Sequence, residues 1–205
     1  MIKDLEKELQ ELFNDDYSGH DYQHLERVYN NALMIMEDIE CNEVIVKLAA
    51  LLHDCDDRKL FDSSDYDNAR RLMNNHHIDL SVQNQVIEII KEVSFKGNSS
   101  VAPASIEGKI VQDADRLDAI GAIGIARCFM YSGAKSQKMY DFNDQPLLEM
   151  NEEEYFNHHS NAINHFYEKL LLLKDMMNTE KGKAIAIQRD AYMRAFLDEF
   201  IREVK

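Results

Sequence analysis

The chain has 205 residues, 45% hydrophobic and 30% charged, with a formal net charge of −15 at pH 7. Its length suits one domain with a substantial core, and its composition excludes a low-complexity or disordered chain. The negative charge, with no basic stripe interleaved with aromatics to offset it, argues against a nucleic-acid polymer as partner, but a small phosphorylated molecule drawn by a metal ion or a few local cations remains compatible.

Only 7 Gly and 2 Pro punctuate the sequence, which favours long helices over many short strands and makes all-α the expected fold class. The opening MIKDLEKELQ is charged and amphipathic rather than a secretory leader. No apolar run is long enough to cross a bilayer, so the cytoplasm is the expected location and no membrane partner is expected. Residues 2 to 13 alternate apolar and charged positions at helical spacing, then break at N-D-D-Y-S-G-H-D. From Asp21, an N-cap candidate, Val28, Ala32, Ile35, Met36 and Ile39 fall on one face of a second helix, with His24 in its first turn. A third helix from about Glu43 points Val44, Leu48, Leu51 and Leu52 inward and delivers His53 and Asp54 near its end.

Helical periodicity resumes over about 65–76 and 80–93, and KGNSSVAPAS reads as a loop. The next segment, SIEGKIVQDADRLDAIGAIGIARCFMY, predicts one long central helix, with Gly121 and Gly124 allowing close approach of neighbours. Residues 132–150 are irregular, and two helices, about 152–177 and 180–203, finish the chain. Cys41, Cys55 and Cys128 lack C-x-x-C spacing and read as reduced packing residues.

The stretch LLHDCDD, residues 51–57, sets a histidine and three acids at the end of an apolar run. Ionised groups heading into a core cost several kcal/mol unless paired, and the following R-K supplies few cations. A metal ion is the other solution. His24, the adjacent His53 and Asp54, and Asp115 within VQDADRLDAIG supply two imidazoles and two carboxylates, a donor set that accepts several divalent ions.

This combination resembles the HD-domain superfamily of metal-dependent phosphohydrolases, whose pattern is an early His, an HD doublet on a later helix and a distant Asp. The likeness covers about residues 20–127 and is nearest to small stand-alone bacterial members, where H-D-x-x-H-x-x-R-V, A-A-L-L-H-D and D-A-D-R-L-D-A-I-G recur. It implies a single HD domain over 1–205, a helical bundle of seven or more helices, with about 152–203 completing the fold. It makes His24, His53, Asp54 and Asp115 ligands of one divalent ion, manganese first, with Mg, Ni, Fe or Zn also accepted. Asp118, one turn beyond Asp115, competes for the last ligand position or contacts substrate.

Asp57 matches the acid that follows the doublet in nucleotide-cleaving relatives and is the candidate to orient or deprotonate water, with Asp56 a weaker competitor. Lys59 and Arg116 are the expected phosphate contacts, with Arg58 and Arg27 behind them, and the resemblance makes His20 either a phosphate contact or a support behind the metal ligands. The expected reaction is hydrolysis of a small phosphorylated substrate, a nucleotide, cut from triphosphate to monophosphate and pyrophosphate. A nucleoside monophosphate phosphatase is the alternative, and a homo-oligomer is left open.

Three rival readings differ in their demands. HDYQH resembles the helical H-E-x-x-H of zinc proteases but leaves the acids of 51–57 unexplained. A two-metal HD site needs further histidines; His76 and His77 could supply one, but KEVSFKG has none to complete it. A regulatory HD module without catalysis would be expected to have lost ligands, and all four are present. His158, His159 and His165 lie beyond the likeness and read as surface or packing residues.

Overall fold

Apolar residues recurring every three or four positions give helices throughout the chain. The computed structural model describes residues 1–14, 19, 21–57, 60–95, 100–158 and 160–205, and every regular element among these is helical. In order they are α1 (Ile2–Leu12), α2 (Tyr22–Met36), α3 (Glu43–Leu52), α4 (Asp67–Asn75), α5 (Leu80–Val93), α6 (Ile106–Asp118), α7 (Gly121–Ala134), α8 (Glu152–Asn157), α9 (Ala162–Glu168), a 3-10 helix (Leu170–Met176) and α10 (Glu180–Val204). The all-α expectation holds. None of the described helices is long and apolar enough to cross a membrane.

The chain divides into two compact units, Met1–Ser94 with Pro103–Asp115, and Phe95–Ala102 with Arg116–Lys205. In the first, α3 packs against both α2 and α5. Its sequence EVIVKLAALL buries Ile45, Val46, Leu48, Ala49, Ala50, Leu51 and Leu52, so little of its circumference meets water. Each fully buried leucine there contributes roughly 1.5–3 kcal/mol of apolar burial. Val44, expected inward, is 47% exposed; the buried face starts one residue later, at Ile45, because Val44 belongs to the capped first turn, where its N–H donates to the Asn42 side chain.

Three hydrogen bonds tie α6 into the same unit. Asn31 Nδ2 on α2 donates to the Ala114 carbonyl at 3.1 Å, Gln112 Nε2 donates to the Glu92 carbonyl at 2.9 Å, and the Asn42 N–H donates to Glu107 at 2.8 Å. The second unit is built on α7, α9 and α10. Phe129, Phe166, Phe196 and Phe200 form its aromatic cluster, with ring centroids 5.9–6.3 Å apart.

Two expected helices are broken. The long central helix divides between Asp118 and Gly121, where Gly121 takes a φ of +75°. A Cβ there would lie 3.0 Å from Arg189 Cγ, and one on Gly124 would lie 2.2 Å from the Ala119 carbonyl oxygen. Gly121 thus takes a backbone conformation that favours glycine and lets α10 approach through Arg189, while Gly124 leaves room for the Ala119 carbonyl at the break. The expected helix over 152–177 is three pieces, because His158 is extended and Asn161 starts α9 afresh by accepting the Asn164 N–H at 3.0 Å.

Candidate metal centre

Each element brings its functional group by a local device. Asp21 caps α2 by accepting the His24 N–H at 2.9 Å, so the cap holds the backbone of the histidine itself. This makes Asp21 a capping group rather than the water-activating acid a zinc-protease reading of HDYQH requires. Helix α3 ends at Leu52, and the turn that follows carries His53 and Asp54. Because a carbonyl only accepts, the 2.9 Å contact of His53 Nδ1 with the Ala50 carbonyl places the proton on Nδ1 and turns the Nε2 lone pair toward His24. Asp115 comes from the last turn of α6.

The donors converge. His24 Nε2 and His53 Nε2 are 3.2 Å apart. Asp54 spans the two rings, with Oδ2 3.3 Å from His24 Nε2 and Oδ1 3.5 Å from His53 Nε2. Asp115 Oδ1 lies 3.6 Å and 3.7 Å from the same nitrogens. Donors held by metal–ligand bonds of about 2.0–2.2 Å stand roughly 2.8–3.6 Å apart at octahedral to tetrahedral angles. The residues present therefore fit a divalent ion, and His24, His53 and Asp115 form the candidate metal group among the described residues. The His24 and His53 side chains are 1% and 3% exposed against 27% for Asp115, so the cluster meets solvent on the Asp115 side.

Electrostatics point the same way. Burial alone would depress the His53 pKa, but the Asp54 charge and the hydrogen bond and charge of Asp115 outweigh it and raise the ring to about 9. Burial would raise Asp115, and its contacts with His53 and the charge of His24 hold it below the ordinary carboxylate value instead. The cluster thus selects positive charge between its rings and carboxylates, as a proton or as a cation.

The other residues of the motif have separate fates. Cys55 is fully buried, and burial with the charges of Asp56 and Asp54 pushes its thiol well above the usual range, which suits packing rather than a thiolate ligand. Asp56 is a correction to the sequence reading. Both its oxygens accept backbone N–H groups at 3.0 Å, from Asn68 and Ala69, so it does not compete with Asp57 for water. Asp57 is half-buried, its N–H donating to the Asp54 carbonyl and its carbonyl accepting from Leu60 and Phe61.

On α6, Asp115 is the acid that faces the imidazoles. Arg116 is buried and donates to the Met176 carbonyl, while Asp118, 2% exposed, is ion-paired with Arg127 at 3.1 Å. Arg189 donates to the Leu117 carbonyl between them. His20, Arg58 and Lys59, expected near phosphate, and His159 lie outside the described residues. His76 Nε2 sits 2.9 Å from Glu8, and His158 Nε2 3.1 Å from the buried Glu168. Sequence reasoning missed Asn31, whose signal was its place two turns from His24 on the buried face of α2.

Comparison with known proteins agrees with this geometry. The HD domain family matches residues 21–120. YpgQ of Bacillus subtilis is 39% identical over 206 residues, spanning 96% of this chain and 90% of that protein. The chain belongs to the HD-domain family of metal-dependent phosphohydrolases. Its fold matches a crystal structure from Lactobacillus plantarum with a TM-score of 0.89, at 38% identity over 98% of this chain and 95% of that one. YpgQ in complex with ADP matches at 0.78, with 35% identity over 100% and 98% of the two chains. An HD-superfamily hydrolase from Bacillus thuringiensis matches at 0.74, with 38% identity over 98% and 95%.

Proposed function

We propose that the protein hydrolyses nucleoside triphosphates to the monophosphate and pyrophosphate, using one divalent ion, assigned as manganese, held by His24, His53, Asp54 and Asp115. The observation that carries the reading is the meeting of two buried imidazoles and two carboxylates carried by α2, the turn after α3, and α6, with carboxylate oxygens 3.3–3.7 Å from the imidazole nitrogens and the two nitrogens 3.2 Å apart. The nucleotide class is supported by the ADP complex of YpgQ, which this chain matches over 98% of its length. Cleavage between the α and β phosphorus atoms rests on likeness to the small stand-alone HD proteins.

When bound, the ion would supply Lewis acidity to water and to a phosphoryl oxygen. The chain's own residues do the rest. The Nδ1–H of His53, fixed on Ala50, keeps its Nε2 basic and aimed. Asp57, four residues beyond His53 and held through backbone bonds of 3.1 Å to Asp54 and 2.9 Å to Leu60 and Phe61, orients the attacking water and takes its proton. Water oxygen bonds to the α phosphorus, the bond to the bridging oxygen breaks, and that oxygen leaves with pyrophosphate. His20 and Lys59 are assigned to meet the phosphate charge from their places beside the ligand motifs in sequence. Arg116 and Asp118, themselves buried and bonded to Met176 and Arg127, are assigned to holding the end of α6 rather than to substrate.

The test is incubation of the purified protein with a panel of nucleotides and Mn, Mg, Ni or Fe, with separate assays for pyrophosphate and orthophosphate. Pyrophosphate without orthophosphate supports the reading. Orthophosphate from a monophosphate, with triphosphates left intact, replaces it with a phosphatase. Loss of the signal on His53→Ala with helicity retained ties the chemistry to this cluster.

A further inference from the structure

We infer that Asp56 is a positioning residue for the metal centre, fixing the turn that carries His53, Asp54 and Asp57 by capping α4 from outside that helix. The inference rests on the reading that His53 and Asp54 hold a metal ion.

Helix α4 has no cap of its own. Its N-cap position is Tyr66, in the left-handed region at φ 60°, ψ 39°, with no side-chain cap bond, and Asp65 before it also has a positive φ of 51°. Two successive non-glycine residues in that region are costly and persist only where surrounding contacts over-determine them. The contacts come from the motif turn. Asp56 Oδ1 accepts the N–H of Asn68 and Oδ2 that of Ala69, both at 3.0 Å. These are the second and third N–H groups of α4, the two a local cap would satisfy, and the carboxylate also meets the positive end of the helix dipole.

The link is reciprocal, since Asn68 Nδ2 donates to the Cys55 carbonyl at 2.9 Å. Three hydrogen bonds therefore join residues 55 and 56 to residues 68 and 69. Within the turn, the Cys55 N–H donates to Leu52 and the Asp57 N–H to Asp54, both at 3.1 Å. With the carbonyls of residues 54 and 55 and the side chain of residue 56 all engaged, the backbone on the C-terminal side of Asp54 has one arrangement. In it the Asp54 carboxylate reaches both imidazoles, at 3.3 and 3.5 Å. Under the proposed function the three acids of HDCDD divide the work: Asp54 holds the ion, Asp57 is assigned to the attacking water, and Asp56 fixes the turn that carries both.

The experiment compares Asp56→Ala, Asp56→Asn and a control, Leu5→Ala, which lowers stability through a buried residue of α1. Free Mn(II) is read by electron paramagnetic resonance as it titrates metal-free protein, alongside melting temperature, kcat and KM. Asp56→Ala is expected to weaken Mn(II) binding by about tenfold to a hundredfold, the usual range for losing a group that orients metal ligands. Asp56→Asn keeps a carbonyl acceptor and recovers most of that affinity, while Leu5→Ala melts lower with unchanged affinity.

Equal Mn(II) affinity, within about twofold, in wild type and a lower-melting Asp56→Ala overturns the inference and leaves Asp56 a helix cap only. If Asp56→Ala does not fold, Asn68→Ala carries the test, with weakened binding expected and wild-type binding the refuting result. A wild-type protein that binds no divalent ion overturns both this inference and the proposed function. One that binds Mn(II) but releases no pyrophosphate overturns the substrate reading alone, and the affinity comparison still decides the role of Asp56.

Discussion

His53 is buried between two carboxylates, and its ring is raised from an ordinary 6.5 to about 9. A folded-state pKa above the unfolded value stabilises the fold fully below pH 6.5, and that stability is lost as pH rises through 9. A rise of this size corresponds to about 3 kcal/mol. In the metal-free protein, urea unfolding from pH 6 to 9.5 should therefore show a falling free energy of about that size. His53→Gln, which keeps an amide donor for the Ala50 carbonyl but cannot take the charge, should remove most of the fall. Bound Mn(II) stands in for the proton, so its affinity should rise by up to about tenfold per pH unit over the same window, as one proton leaves for each ion bound. A metal-free stability that rises across this window, or has the same slope in wild type and His53→Gln, refutes the charge balance assigned to the cluster.

Asp57→Asn should lower kcat by about 10²–10⁴-fold, the usual contribution of a positioned general base, with Mn(II) affinity retained; loss of metal instead would make Asp57 a ligand. Asp118→Ala removes the buried carboxylate 3.1 Å from Arg127 and should cost about 1–3 kcal/mol in chemical denaturation; a change below about 0.5 kcal/mol would show the pair to be of little account. Gly121→Ala places a side chain on a φ of +75° and 3.0 Å from Arg189 Cγ, and should cost about 1–3 kcal/mol, read as a lower melting temperature. An unchanged melting temperature would mean that the chain relaxes there without strain.

The helices of the first unit were readable from periodicity because each carries a continuous buried stripe, as in Leu48, Leu51 and Leu52 of α3. The break after Asp118 was not, since Gly121 and Gly124 are compatible with either one continuous helix in close contact with a neighbour or an interrupted one. The positive φ of Gly121 marks the break, and its neighbour Arg189 lies 68 residues downstream. The separation of 152–177 into three pieces was hidden for a similar reason: buried polar residues such as Asn161, Asn164 and Glu168 hold the irregular segment before them, with Asn164 donating to the Asp144 carbonyl and Glu168 accepting the Leu147 N–H. At the site, residue type was legible but partnership was not. Asp115 and Asp118 are indistinguishable as letters one turn apart, and their partners separate them: the two imidazoles beside Asp115 and Arg127 beside Asp118. Asp56 and Asp57 are adjacent, and the uncapped start of α4 decides which becomes a helix cap.

The most direct test is the stoichiometry and affinity of Mn(II) on metal-free protein, measured for wild type and for His24→Ala, His53→Ala and Asp115→Ala, with folding checked by circular dichroism. The account predicts one tight ion per wild-type chain and a loss of at least about tenfold in affinity in each folded variant. Folded variants that bind Mn(II) as the wild type does would contradict it.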